Sequence, residues 1–233
     1  MKQWLISLLA ALVLVACSDD DNGLAVEPTA HGTVTDNQGN TYGWVRIGDQ
    51  EWTTENARNG SRVWNVEYYV PDYGSYETIS FDADTTDYFN EYGNLLSYEE
   101  ALASAPEGWR LPTDDDWKKL ERAMGMGGEA DRTGWRGSIA SLLTRSDQGA
   151  ELGLKLGGSV LYSSETYGVG CLLKYDGEAG YYWTSTVDES KPGGDGYRMV
   201  FFRKLVSGQE GVERQSGNNS NKYMSVRWVR DVR

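Results

Sequence analysis

The chain has 233 residues, with 35 Asp and Glu against 22 Lys and Arg and a net charge of −13. So negative a field repels polyphosphate, which excludes nucleic acid as a partner. Hydrophobic residues make up 39% and aromatic residues 12%, a globular composition long enough for one sizeable core, with no internal repeat. Charge is uneven: Cys17 to Asp116 holds 4 basic and 21 acidic residues, and Trp117 to Arg233 holds 17 and 14. Such halves are expected to fold against each other, with the scattered Lys and Arg read as a solvated face.

Lys2 is followed by an apolar run from Trp4 to Ala16, then Cys17, then Ser18-Asp19-Asp20-Asp21-Asn22. A positive start, a brief apolar stretch and a small residue at the cut describe a secretory signal peptide. The run is shorter than the ~20 residues of a bilayer span, which argues against an uncleaved anchor helix. Leu14-Val15-Ala16-Cys17 resembles the bacterial lipobox, in which the cysteine is acylated before cleavage; a cut by the ordinary signal protease is the alternative. Acyl chains contribute ~0.8 kcal/mol per buried methylene, so a membrane becomes a partner through the anchor. The acidic run resembles the surface-export signal of lipoproteins in the Bacteroidota, although it is also what a solvated tether would contain. The reading is a signal peptide over 1–16, an acylated Cys17 with an acidic tether over 17–32, and one domain over 33–233. It places the protein at the outer membrane, facing outward.

The domain should open as strand, turn, strand: Thr33-Val34-Thr35, the turn Asp36–Asn40, then Thr41–Ile47, with Gln50–Thr53 after Gly48-Asp49. Gly60 to Gly93 holds nine aromatics and few aliphatics, and reads as a long, partly irregular excursion. Ser97-Tyr98-Glu99-Glu100 fits a capping box that starts a short helix ending before Pro106. Thr113 starts a second helix, with Asp114, Asp115 and Asp116 facing the positive end of its dipole. Trp117, Leu120 and Met124 form its apolar stripe, and the glycines from Gly125 end it. A third short helix fits Ser138–Thr144. Leu152, Leu154 and Leu156 then alternate as in a strand. Tyr181–Thr186, Tyr197–Val206, Gly211–Gln215 and Tyr223–Val229 read as further strands, the last three as an antiparallel meander. The fold class is α+β.

Four segments resemble one family: Asp36–Tyr42 with Ile47–Asn56, Ala105–Thr113 with Trp117, Tyr182–Thr186, and Ser225–Asp231. In this order they resemble the Fibrobacter succinogenes major paralogous domain, frequent in surface lipoproteins of the Bacteroidota. Gly108-Trp109-Arg110-Leu111-Pro112-Thr113 with Trp117 is also similar to the formylglycine-generating enzymes. That likeness implies a C-type-lectin-like fold, which agrees with the pattern read above: two or three short helices, short antiparallel sheets, long loops and a closing strand that could pair beside the first. Many family members carry cysteines where this chain has Ala105 and Trp228, and the paired loss implies that those cysteines form a disulfide elsewhere. A buried Trp228 would offset its absence.

The candidate chemistry is narrow. Formylglycine generation needs a redox-active cysteine pair in a copper site, and Cys171 would stand alone after lipidation; its setting, Val169–Leu173, suits a buried apolar side chain. The single histidine, His31, falls in the tether, which disfavours a His-centred triad or metal site. The many carboxylates read as solvated surface groups. Asp82, Asp84 and Asp87 are weak calcium candidates without EF-hand spacing, and Asp84-Thr85-Thr86 fits a loose O-glycosylation motif. No cofactor is expected. In the aromatic excursion, Trp64, Tyr68, Tyr69, Tyr73 and Tyr76 are the candidate ligand-binding residues, since rings supply contact area and neighbouring polar groups supply orientation. Packing of the same rings into a satellite core is the competing reading. The function expected is a non-catalytic surface binding or adhesion module for a glycan or surface protein. A structural component of an envelope complex is the alternative.

Overall fold

The structure is a computed structural model that describes residues 27–61, 65–70, 75–80, 87–163, 170–220 and 222–232; the side chains of 65–70, 75–80, 162–163 and 170–174 lie outside the description. Its first sheet has the order β1-β2-β3-β13, with strands Ala30–Thr35, Thr41–Ile47, Gln50–Thr53 and Val229–Asp231, all antiparallel. The turn between β1 and β2 is organised by Asp36, whose carboxylate accepts from the Gln38 and Asn40 backbone N–H groups and from the Tyr42 hydroxyl at 2.7 Å. β1 starts at Ala30, three residues earlier than expected. His31 therefore lies on a paired strand rather than in a tether, and its Nε2 is 2.9 Å from Glu151 Oε2. The closing strand pairs with β3 and leaves β1 at the far edge.

The second sheet has the order β12-β7-β9-β10-β11-β6, with β8 also paired to β7. Its strands are Gly134–Arg136 (β6), Gly157–Ser163 (β7), Gly170–Asp176 (β8), Ala179–Val187 (β9), Met199–Val206 (β10), Val212–Asn218 (β11) and Lys222–Tyr223 (β12). The meander β9-β10-β11 forms as expected. The expected strand Tyr223–Val229 does not: it divides into β12, two single bridges at Met224 and Ser225, and β13 in the other sheet. Nor is Leu152–Leu156 a strand. Leu152 and Leu154 are buried, but the backbone there bonds to the Leu143 and Arg145 carbonyls, the Gly177 N–H and two buried side chains instead of a neighbouring strand. The excursion after Gly60 contains an antiparallel hairpin, β4 (Asn65–Val70) and β5 (Ser75–Ser80), followed by helix α1 (Asp87–Tyr92).

Helix α2 (Tyr98–Ala103) and helix α3 (Asp114–Ala123) both begin with complete capping boxes, at Ser97/Glu100 and Thr113/Asp116. A 3-10 turn over Gly127–Asp131 and helix α4 (Ala140–Thr144) follow. Trp117, Leu120 and Met124 of α3 enter one core cluster with Val45, Trp52, Leu143, Leu152 and Tyr182. A second cluster joins Trp109, Trp183, Phe202 and Trp228 to α2, and Ala105 packs against it. Trp109 and Trp117 thus pack the core as expected, in different clusters. Trp228 is fully buried, and it fills with apolar area the region that it shares with Ala105.

The carboxylates depart from their expected solvated state. Asp114 and Glu121 of α3 are buried, and Arg203 of β10 lies between them without solvent exposure, at 2.8 Å and 2.6 Å. Arg214 of β11 forms a fork with Asp114 at 2.8 and 2.7 Å, and Arg136 of β6 forms one with Glu121 at 2.9 and 2.8 Å. Burial alone would raise the Asp114 pKa, but hydrogen bonds from Arg214 and the charge of Arg203 override it and hold the carboxyl far below the usual range.

Removing Arg203 leaves two buried carboxylates short of a cation. Arg203→Met should therefore cost about 3–5 kcal/mol, measured by urea unfolding at neutral pH. A carboxyl whose folded pKa is depressed stabilises the fold above its unfolded value and loses that contribution as pH falls toward the folded value. The chain should therefore lose stability below about pH 4. Asp114→Asn should make that acid limb shallower while lowering stability at pH 7.

Candidate functional site

A cleft of about 840 Å³ lies between α1, α4, the segment Leu154–Leu156 and the β10–β11 turn. Its placement follows from the segment before β7. The Tyr182 hydroxyl of β9 accepts from the Lys155 N–H at 2.6 Å and donates to the Lys155 carbonyl at 2.7 Å. The buried Arg227 guanidinium donates to the carbonyls of Leu152 at 2.6 Å and Gly153 at 2.8 Å, and to Asn56 Oδ1 at 2.6 Å. Two buried side chains, with the Leu143 and Arg145 carbonyls that accept from Leu154 and Gly153, thus replace a strand partner, and the exposed Lys155 side chain is held at the cleft.

The opposite wall is α1. The rings of Tyr88 and Tyr92, one turn apart, lie 4.9 Å from centroid to centroid, and the Tyr88 hydroxyl donates to the Gly157 carbonyl. A Cβ at position 157 would lie 3.0 Å from the Tyr92 Cβ, so a glycine there lets the helix sit directly on β7. Burial, then the charges of Glu91 and Asp176, raise the Tyr92 pKa and keep its hydroxyl a neutral donor. The floor is closed by the Glu210 carbonyl, which accepts from Ala140 N–H at 2.9 Å, and by the Glu178 carbonyl, which accepts from Ser207 N–H at 2.8 Å. The cleft therefore offers the Tyr92 ring, the Ser141 and Thr144 hydroxyls, the Gln209 amide, the carboxylates of Glu91 and Glu210, and the Lys155 ammonium.

Of the five candidate ligand residues, Trp64 and Tyr73 lie outside the described residues, and Tyr68, Tyr69 and Tyr76 are placed only as backbone of the β4–β5 hairpin. Tyr69 and Tyr76 are register partners there. Cys17, Asp82 and Asp84 also lie outside the description. Asp87 opens α1 as an exposed residue, and Cys171 is placed only as backbone on β8. Among the described residues no group of three His, Cys, Asp or Glu is arranged to hold a metal ion, and no helix is long and apolar enough to cross a membrane. The excursion does contribute to the cleft, but through Glu91 and Tyr92 at its end. Lys155 is the outward position of the alternation Leu152-Gly153-Leu154-Lys155-Leu156, and its place at the cleft follows from partners distant in sequence.

The architecture defines an α+β domain whose first and last strands share one sheet. The chain matches the model of the Fibrobacter succinogenes major domain over residues 45–230, and it belongs to that family. No curated protein and no solved structure matches it.

Tyr182→Phe should remove both bonds to Lys155 and leave that backbone N–H without its acceptor. The expected cost is about 1–3 kcal/mol of stability, with faster amide exchange at Lys155, measured by NMR hydrogen exchange.

Proposed function

We propose that this protein is a lipid-anchored surface binding module whose ligand is a glycan held in the cleft beside Tyr92. The observation that carries the reading is the mixture lining that cleft: one aromatic ring and aliphatic side chains such as Leu154, Leu156 and Leu205, set among hydroxyls, carboxylates, an amide and an ammonium. A sugar presents an apolar C–H face and a rim of hydroxyls, so it needs both kinds of partner at once. The address rests on the lipobox-like Leu14-Val15-Ala16-Cys17 and the acidic run after it. A C-type-lectin-like arrangement is part of this proposal. It is supported by short helices, antiparallel sheets and terminal strands in one sheet, together with the Gly108–Thr113 and Trp117 motif.

Two measurements test it. Mass spectrometry of the membrane fraction should find Cys17 as an acylated N-terminus, and Cys17→Ala should release the protein from membranes. An oligosaccharide array probed with the full lipoprotein in detergent should give hits that weaken by about tenfold in Tyr92→Ala. An unmodified Cys17 ends the anchor reading. An empty array, with one fixed envelope protein captured by crosslinking on intact cells, replaces glycan recognition with an assembly role.

A further inference from the structure

A second feature lies on the outward face of the seven-stranded sheet. Lys204 of β10 is in register with Tyr181 of β9 and with Glu213 of β11, and Glu213 is in register with Trp135 of β6. Directly paired residues of antiparallel strands project to the same face. The four side chains therefore form one row across four strands: ring, ammonium, carboxylate, ring. The adjacent row on the opposite face, Tyr182, Arg203 and Arg214, points inward to α3. Farther along the outward face, Trp183 and Phe202 are covered by the cluster around α2, where Tyr98 meets Trp183 at 5.5 Å. The row at Lys204 is left less covered.

Its geometry suits stacking. Lys204 Nζ is 5.7 Å from the centroid of Trp135 and 5.7 Å from that of Tyr181, so the two rings are at most 11.4 Å apart. Trp135 is 45% exposed, although a tryptophan of a small domain is ordinarily mostly covered. Tyr175 is 52% exposed and adopts φ 66°, a conformation that favours glycine, so an exposed ring is held there against the backbone's preference. Burial, then the nearby Tyr175 and Glu213, raise the Tyr181 pKa, which sets Tyr175 beside the row. The polar members are partly satisfied within the row, since Lys204 sits over both rings and pairs with Glu213. Glu213 is 93% buried, yet its Oε2 accepts no hydrogen bond; its nearest cation is Lys204 Nζ at 3.5 Å. Lys204 donates no hydrogen bond among the described residues.

We propose that this row is a binding platform for an extended, neutral, β-linked polysaccharide chain, separate from the cleft. The two rings, no more than 11.4 Å apart, stack on sugar faces of one chain, the ammonium between them meets hydroxyls, and buried Glu213 holds that ammonium from below. A protein partner would bury the Lys204–Glu213 pair at the centre of a contact that favours a dry apolar core, at a desolvation cost. A polyanion would meet Glu213 and a chain of net charge −13. The inference extends glycan recognition to a second surface and does not depend on the cleft.

The test is retention of the full lipoprotein, in detergent, on microcrystalline cellulose, on chitin and on immobilised polygalacturonate, beside the oligosaccharide array. Retention on one of the neutral polymers is expected. It should fall by at least about tenfold in Trp135→Ala and in Tyr181→Ala, and stay unchanged in Leu102→Ala, another exposed apolar residue. Circular dichroism and urea unfolding establish that the variants fold. If Tyr181→Ala fails to fold, Trp135→Ala alone decides. Absence of retention on either neutral polymer, preference for polygalacturonate, or undiminished retention of Trp135→Ala overturns the platform. Array hits lost in Tyr92→Ala with polymer retention absent would leave the cleft standing and the platform refuted. The reverse pattern would refute the cleft alone.

Discussion

Arg203 occupies the position on which the rest of the fold depends. It is fully buried between Asp114 and Glu121, two turns apart on the same face of α3. Arg214 and Arg136 complete the two carboxylates from β11 and β6, and Lys118 adds a bond to Asp114 at 3.0 Å. One helix is thereby keyed to three strands of the second sheet. Trp117 lies between the two carboxylates in sequence and carries the Arg203 guanidinium 5.9 Å from its ring, with Trp52 of the first sheet 5.1 Å away. Helix, first sheet and second sheet thus meet around one charged cluster and one indole. Apolar replacement of such a cluster often changes stability little, whereas loss of one member is costly, so its role is to fix how the layers sit.

Arg227 uses the same chemistry without a carboxylate. Its guanidinium is buried against four neutral oxygens, from Asn56, Thr53, Leu152 and Gly153. Burial lowers its pKa, but a guanidinium starts so high that it stays charged. A cation with five donors can satisfy backbone carbonyls that no strand reaches. With the Tyr182 hydroxyl, it converts residues 152–155 from a would-be strand into a fixed irregular wall, and that wall makes the cleft. The cleft's shape is therefore set by groups that never face it.

Local patterns in the sequence were legible where the physics is local. The Ser97 capping box, the Thr113 N-cap, the Trp117–Leu120–Met124 stripe and the Asp36–Asn40 turn each depend on residues within a few positions of one another. What failed depends on partners far along the chain. Asp114 and Asp116 read as dipole-facing surface groups because Arg203, Arg214 and Arg110 cannot be assigned to them from spacing. Leu152–Leu156 showed the period of a strand, but periodicity reports burial and not which group receives the backbone hydrogen bonds. Trp135, flanked by Gly134 and by Arg136-Gly137, carried a surface signal that went unread. The register that puts it in line with Lys204 exists only once β6 closes the sheet.

The segments that carry the family resemblance explain why membership says little about the ligand. Trp52, Asn56, Trp109, Leu111, Trp117, Trp183, Arg227 and Trp228 are all buried. They build the two core clusters, and Arg227 and Asn56 hold the cleft wall from behind. Tyr92, Lys155, Trp135, Lys204 and Tyr175 lie outside those segments and face outward or half outward. A family defined by such a pattern is defined by its scaffold. In this chain the segments that carry the resemblance build the core, and the outward side chains of the cleft and of the second sheet lie between them.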